Sequence, residues 1–352
     1  MEYPVSLYFE TEPAEVQVLD LCRGEGDYRK VYIAGDGGRK LVIKTMSNGF
    51  SNRRRILGWF RLMEAYRERG LYCPAVVPGL DGELLYSETR DGKVYCTYAE
   101  EFAVYRTAEQ IGEEACRDKT GNYIFAPDLM RSLGKIAAAK LDFLDWPSAY
   151  CLLEPFSAPD TTDEGTECAE KFVQYVREHL PRFLPRAEEL LALFYRRQAE
   201  LREIYHTLPT SCFQGDLNDS NVLLDENGKL VGLIDFNLCG REPVLNYVVR
   251  EALWAVDDRC LFGENESCLY CYDKALDEVR IRSFLRNIAY VQETYSFTDA
   301  EREAFPVLFR YMNSFWWHTL SEVERVREEE DKIGMLLDWL EFQMTRDDIR
   351  LP

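Results

Sequence analysis

The sequence predicts an α+β fold in two parts: a small antiparallel β-rich lobe with one helix, then a large helical lobe. Three observations carry that expectation. Short strand-like runs separated by glycine turns fill the first hundred residues, long amphipathic segments begin near Phe125, and one β island at 211–236 interrupts the helical part. The chain has 352 residues, 46% of them hydrophobic, enough for two or three packed lobes.

The elements follow in order. Residues 16–20 form a short apolar strand, followed by Arg23-Gly24-Glu25-Gly26-Asp27. Residues 30–34 and 40–44 alternate polar and apolar around Gly35-Asp36-Gly37-Gly38, a hairpin signal because glycine supplies the positive φ that such turns need. A helix is expected over 52–69, capped by Ser51 or Asn52, with Ile56, Trp59, Phe60 and Met63 as its apolar stripe and Gly70 as its stop. Asp81-Gly82 and Asp91-Gly92 punctuate two further strands, the second ending at 95–98. Helices are expected over 130–144, where Ala137, Ala138 and Ala139 would allow close helix approach, over 167–180 and 186–207, and from 243 to the end. The border falls near 99–106, which divides the chain into a β-rich lobe at 1–104 and a helical lobe at 105–352.

Composition narrows the function. Lys plus Arg number 42 and Asp plus Glu 62, for a net charge of −20. That disfavours nucleic acid and anionic membrane surfaces, both of which require clustered cations, and it permits a cationic small-molecule substrate. No run approaches the roughly 18 apolar residues that a membrane span needs, and residues 1–13 lack the basic start and apolar run of a targeting segment. The 11 scattered cysteines fit reduced thiols in a cytoplasmic protein. Cys268 and Cys271 form one C-x-x-C, with Cys260 upstream; without a second pair or a nearby histidine they read as free thiols. The run Glu328-Glu329-Glu330-Asp331 reads as a solvated helix face.

The chemistry concentrates in 213–237, FQGDLNDSNVLLDENGKLVGLIDFN. Asp216 is followed five residues later by Asn221, then by an apolar strand, a turn at Asn227-Gly228, a second apolar strand and Asp235. Phosphoryl transfer asks a protein for positioning and charge neutralisation rather than covalent work. One carboxylate orients the acceptor hydroxyl and takes its proton. Another holds Mg²⁺, a hard ion that prefers oxygen ligands, and an amide oxygen can complete the set. A hairpin folds residue 235 back beside residue 221. Asp235 borders the apolar run Leu230-Val231-Gly232-Leu233-Ile234, where a carboxylate needs a partner such as a cation. Asn218, Asp219 and Asp225 read as ordinary turn residues.

This segment resembles the catalytic loop and metal-binding strand of the aminoglycoside phosphotransferase and choline kinase families, which share the protein-kinase-like fold. Gly215-Asp216-Leu217-Asn218-Asp219-Ser220-Asn221 matches their Gly-Asp-x-x-x-x-Asn pattern, and Leu233-Ile234-Asp235-Phe236 their Ile-Asp-Phe or Ile-Asp-Trp motif. The resemblance implies Asp216 as catalytic carboxylate, Asn221 and Asp235 as Mg²⁺ ligands, and ATP or GTP as phosphoryl donor. Gln214 departs from the families, which usually have histidine there. The resemblance further implies that Lys44, at a strand end, grips the nucleotide phosphates, and that Gly24 and Gly26 lie in the nucleotide-covering loop. The hinge would be YAEEFAV at 98–104, whose backbone around Glu101 and Ala103 would bond the adenine edge. A glutamate on the helix after Lys44 should pair with it. Glu64 and Glu68 are the candidates, although the families' position falls nearer 58–60, where no acid occurs.

No Ala-Pro-Glu follows Asp235, which favours a small-molecule acceptor over a protein. On the helix expected after the metal strand, Tyr247, Glu251 and Trp254 are spaced for one face, with Asp257 and Asp258 beyond, as candidates for a substrate pocket. Phe315-Trp316-Trp317-His318 could offer a stacking face, but helical-lobe core is the simpler reading for these aromatics. The expected activity is Mg²⁺-dependent transfer of the γ-phosphate of ATP or GTP to a small-molecule hydroxyl, with an aminoglycoside or amino alcohol as a fitting acceptor. The alternatives are a kinase of another metabolite (choline, homoserine or a sugar) and a nucleotide-binding pseudokinase.

Overall fold

A computed structural model describes residues 4–24, 26–119, 121–157, 160–256 and 274–352. In chain order these form β1 (Glu15–Asp20), β2 (Tyr28–Gly35), β3 (Lys40–Ser47), α1 (Arg53–Arg67), β4 (Val76–Val77), β5 (Tyr86–Arg90), β6 (Lys93–Glu101), β7 (Arg106–Thr107) and α2 (Ala108–Ile111). They continue with α3 (Ala126–Ala138), α4 (Glu164–His179), α5 (Leu184–Tyr205), β8 (Thr210–Phe213), β9 (Val222–Leu224), β10 (Leu230–Leu233), β11 (Gly240–Pro243) and α6 (Val244–Trp254). The last helices are α7 (Lys274–Gln292), α8 (Asp299–Met312), α9 (Trp317–Arg325) and α10 (Glu330–Thr345). Asp257 and Asp258, together with Cys260, Cys268 and Cys271, lie outside the described residues.

The contacts divide the chain into two compact units. The first takes in the residues up to Ile111 and, from later in the chain, Asp216–Cys239. The second holds Gly112–Phe156, Asp160–Gly215 and Gly240–Pro352. This differs from a division at residue 104, which would put the whole loop-hairpin with the helices. The reason is pairing: β9 lies against β10 on one side and β7 on the other, and Tyr72 exchanges backbone bonds with β10, Tyr72 N–H to Val231 O at 3.0 Å and Leu233 N–H to Tyr72 O at 2.9 Å.

In the first unit an antiparallel sheet runs β1-β2-β3-β6-β4, with β5 also on β6. Period-2 alternation sorts the side chains of β3. Leu41 and Ile43 point to a core built with Val5, Tyr8, Phe9, Ala34 and Ala99, so Lys44 lies on the other face. Register sets its neighbours: Lys44 is paired with Tyr98 and Val42 with Glu100, so Tyr98 and Glu100 share the Lys44 face. Helix α1 covers that face. Asn52 caps it through Arg55 N–H, Ile56, Trp59, Leu62, Met63 and Tyr66 are buried, and the rings of Trp59 and Phe60 meet Tyr98 at 6.4 and 5.1 Å.

The second unit is mostly helical. Helix α3 begins earlier than the pattern suggested because Pro127 suits the first turn, where its missing N–H costs nothing, and it ends at Ala138. A close helix approach comes at Gly134: a Cβ there would lie 2.3 Å from Thr294 Oγ1 and 2.5 Å from Val291 O. Helix α4 begins at Glu164, after the N-cap Asp163 whose side chain accepts Thr166 N–H, and α5 begins at Leu184 just before Pro185. The β island extends past 236, since β8 pairs with β11, and helix resumes at Val244 close to where it was expected.

Gly232 marks the tightest crossing in the first unit, because a Cβ there would lie 1.8 Å from Tyr72 O. Gly232→Ala is expected to destabilise the protein by about 1–3 kcal/mol in chemical denaturation, and an unchanged midpoint would contradict this packing.

Candidate active site

The site lies within the first unit and is assembled from β3, β6 and the loop-hairpin. Gly215, at φ 92°, turns the chain into Asp216. The loop then closes on itself, with Asn221 N–H donating to Asn218 O at 2.9 Å, while Glu109 N–H at the start of α2 holds Asp219 O at 2.9 Å. Asn221, 5% exposed, ties the arrangement together. Its Nδ2 donates to Asp216 O at 2.8 Å and to Asp216 Oδ2 at 3.3 Å. Its own carbonyl accepts Ile234 N–H at 3.0 Å. The hairpin register, with Val222 opposite Leu233, continues that pairing and brings Asp235 next to the loop.

Asp235 adopts φ 57°, a left-handed conformation that costs a non-glycine residue about 1–3 kcal/mol and is held only where the surroundings fix it. Phe236 after it is anchored edge-on against Tyr66 of α1 at 5.2 Å. The Asp235 carboxylate remains 38% exposed and lies 3.7 Å from Lys44 Nζ.

Lys44 is the buried cation of the site. Its Nζ meets both Glu100 oxygens at 3.3 Å and lies 5.9 Å from the Tyr98 ring centre. Burial alone would lower the Lys44 pKa, but Glu100, Tyr98 and Asp235 together hold it well above the ordinary lysine value. For Glu100 the balance is reversed: burial raises its pKa, and the pull of Lys44 only partly offsets this.

The donor set fits a hard cation. Asn221 spends its amide nitrogen on Asp216 O, which can only accept, and so leaves its amide oxygen to serve as a ligand beside the Asp235 carboxylate. Among the described residues no group of three or more His, Cys, Asp or Glu could hold a metal.

Other expected residues fall elsewhere. Glu64 does not meet Lys44; its carboxylate is 58% exposed and pairs with Arg67. The cause is helical phase: Met63 belongs to the buried stripe of α1, and Glu64 is turned about 100° away from it. Reasoning from the sequence missed Glu100 as the Lys44 partner. The signal it left was a carboxylate two positions beyond Tyr98 in an otherwise buried strand end. The Glu101 N–H is committed to Ala75 O at 2.9 Å and the Phe102 N–H to Lys40 O at 3.0 Å. Gly24 and Gly26 take φ 66° and 100° in the β1–β2 turn, and a Cβ on either would meet nothing within 4 Å, so the backbone there borders open space.

Two of the acceptor candidates on α6, Tyr247 and Glu251, are core residues of the second unit, and Trp254 is half-buried. Glu251 is 2% exposed and pairs with the Arg250 guanidinium at 2.8 Å. Arg250 also meets Glu242 at 3.5 Å and Tyr150 O at 3.1 Å. Tyr247 is fully buried and stacks on Phe213 at 4.1 Å. Trp254 stacks on Tyr123 at 5.3 Å. Spacing puts these residues on one face, but α6 is buried on several faces, and Tyr247 and Glu251 are already packed against neighbours. Phe315 belongs to the core, while Trp317 and His318 stack on each other at the surface.

A family model described as the phosphotransferase enzyme family matches residues 21–259, more than half of the chain. No curated protein matches. Among solved structures, an amicoumacin kinase in complex with AMP-PNP, Ca²⁺ and Ami superposes with a TM-score of 0.54 at 14% identity, over 97% of this chain and 91% of that one. A microcompartment-associated aminopropanol kinase gives 0.49 at 14% identity, over 97% and 93%. A choline kinase from Cryptosporidium parvum Iowa II gives 0.40 at 13%, over 94% and 92%. The first of these shows a shared fold, the protein-kinase-like phosphotransferase fold. None of the described helices is long and apolar enough to cross a membrane.

Two substitutions separate the observed partners from the expected ones. Glu64→Gln should leave kcat/KM for nucleotide unchanged in steady-state assays, because its exposed carboxylate pairs with Arg67 and not with Lys44. Glu251→Ala should cost roughly 2–3 kcal/mol in denaturant unfolding, because it strips a buried guanidinium of its nearest carboxylate.

Proposed function

The chain belongs to the phosphotransferase enzyme family and is a small-molecule kinase; on that premise we propose that it transfers the γ-phosphoryl group of ATP or GTP, with Mg²⁺, to a hydroxyl of a small molecule. An amino-bearing acceptor such as an aminoglycoside or amino alcohol suits a chain of net charge −20. The observation that carries the reading is the double tie of Asn221, bonded to Asp216 on one side and to the backbone beside Asp235 on the other.

Each residue then has a task. Asp216 orients the acceptor hydroxyl and takes its proton as the acceptor oxygen bonds to the γ-phosphorus. The bond from that phosphorus to its bridging oxygen breaks, and the nucleoside diphosphate leaves with the electron pair. The Asn221 amide oxygen and the Asp235 carboxylate are the atoms suited to hold Mg²⁺. When bound, Mg²⁺ supplies neutralisation of charge on the phosphate oxygens. Lys44 contributes a fixed positive charge for the phosphates, kept protonated by its carboxylate neighbours. The turn at Gly24 and Gly26 offers backbone that can approach the phosphates closely, because neither glycine brings a Cβ. Ala103, just beyond β6, follows the two N–H groups already used at Glu101 and Phe102, and its backbone suits the base edge.

Mg²⁺ with ATP should raise the melting temperature of the wild type, and Asp235→Ala should abolish the rise. Asp216→Asn should keep the rise but lose phosphoryl transfer by roughly 10²–10⁴-fold. A screen of aminoglycosides, macrolides, amino alcohols and sugars, read by the mass gained by the acceptor, identifies the substrate. No thermal shift in the wild type, or full transfer by Asp216→Asn, would contradict the reading.

A further inference from the structure

We infer that Glu100, at the end of β6, is the positioning residue for Lys44, performing from the sheet the task that a glutamate on the following helix was expected to perform. This rests on the phosphotransferase reading given above.

Four observations support it. Both Glu100 carboxylate oxygens lie 3.3 Å from Lys44 Nζ. Glu100 is 5% exposed, so little water competes for its charge. The register makes the pair a fixed diagonal of adjacent strands, Lys44 opposite Tyr98 and Glu100 opposite Val42, a spacing that long side chains bridge readily. Helix α1 presents aromatic rings on this face: Trp59 and Phe60 pack on Tyr98, and its one acid near that level, Glu64, is bound to Arg67.

The consequence is mechanical. Where a helix supplies the partner, shifting the helix makes or breaks the pair. Here both residues belong to one hydrogen-bonded sheet, and the pair is set by strand register alone. The lysine is therefore held in position independently of any movement of α1. Asp235 adds the third corner, and the 3.7 Å separation leaves that contact the looser of the two.

The test is a double-mutant cycle on Lys44 and Glu100, read as kcat/KM for ATP in the full-length protein. Glu100→Gln should lower kcat/KM roughly ten- to a hundredfold, with KM for the acceptor little changed. Lys44→Ala should lower it at least as much. The double variant should be no worse than Lys44→Ala, because Glu100 acts through the lysine. Losses that multiply would assign Glu100 a separate role and overturn the inference, as would full activity of Glu100→Gln. If Glu100→Gln does not fold, Glu100→Asp replaces it in the cycle, and the same non-additivity is expected with a smaller loss. If the wild type transfers no phosphate, the phosphotransferase reading has failed, and the cycle is read instead on the affinity for Mg²⁺ with ATP. Non-additivity there still supports the pairing, and absence of nucleotide binding overturns both.

Discussion

A buried ammonium held by carboxylates is the constraint around which the first unit is arranged. Lys44 cannot be taken out of water alone, because an unpaired buried charge costs several kcal/mol. Glu100 meets it across the β3–β6 register and Asp235 meets it from the hairpin. Each of these placements depends on something further away. The strand alternation that buries Leu41 and Ile43 turns Lys44 to the opposite face. The backbone bridge at Tyr72 and Gly232 fixes the hairpin, and the Asn221 bond to Ile234 sets the approach of Asp235. The left-handed backbone of Asp235 is the strain that this arrangement sustains.

How much of this was legible in the sequence depended on how local each signal was. Asp216, Asn221 and Asp235 stood out because polar residues at set intervals interrupt an apolar hairpin, a pattern contained in about twenty residues. The strands β2 and β3, the cap at Asn52 and the stripe of α1 were readable for the same reason. The partner of Lys44 was not, because it lies 56 residues away and is chosen by strand register, which no local pattern encodes. Glu64 stood in its place as the acid on the helix after Lys44, although the readable stripe, with Met63 in it, already turns Glu64 away from the sheet. Likewise β4 and β7, two residues each, are too short to carry an alternation. On α6 the spacing of Tyr247, Glu251 and Trp254 identified a face, but only packing shows that Tyr247 and Glu251 are buried.

The net charge of −20 takes on a sharper meaning beside this geometry. The proposed nucleotide is a polyanion, and Lys44, the buried cation of the candidate site, already has two carboxylate neighbours. The proposed chemistry therefore depends on a metal ion for much of its positive charge, and the amide and carboxylate of Asn221 and Asp235 become as consequential as Lys44. The second unit uses the same device for a different purpose. There Arg250 is buried with Glu242 and Glu251, its pKa raised because the two carboxylates outweigh burial, and the group joins α6 to β11.

The most direct measurement is the binding of Mn²⁺, as a paramagnetic replacement for Mg²⁺, in the presence of a non-hydrolysable ATP analogue, followed by electron paramagnetic resonance. The account predicts that the wild type immobilises Mn²⁺ only with nucleotide, that Asn221→Ala and Asp235→Ala each weaken this sharply, and that Glu64→Gln does not. Equal Mn²⁺ binding by the wild type and both ligand variants would contradict it.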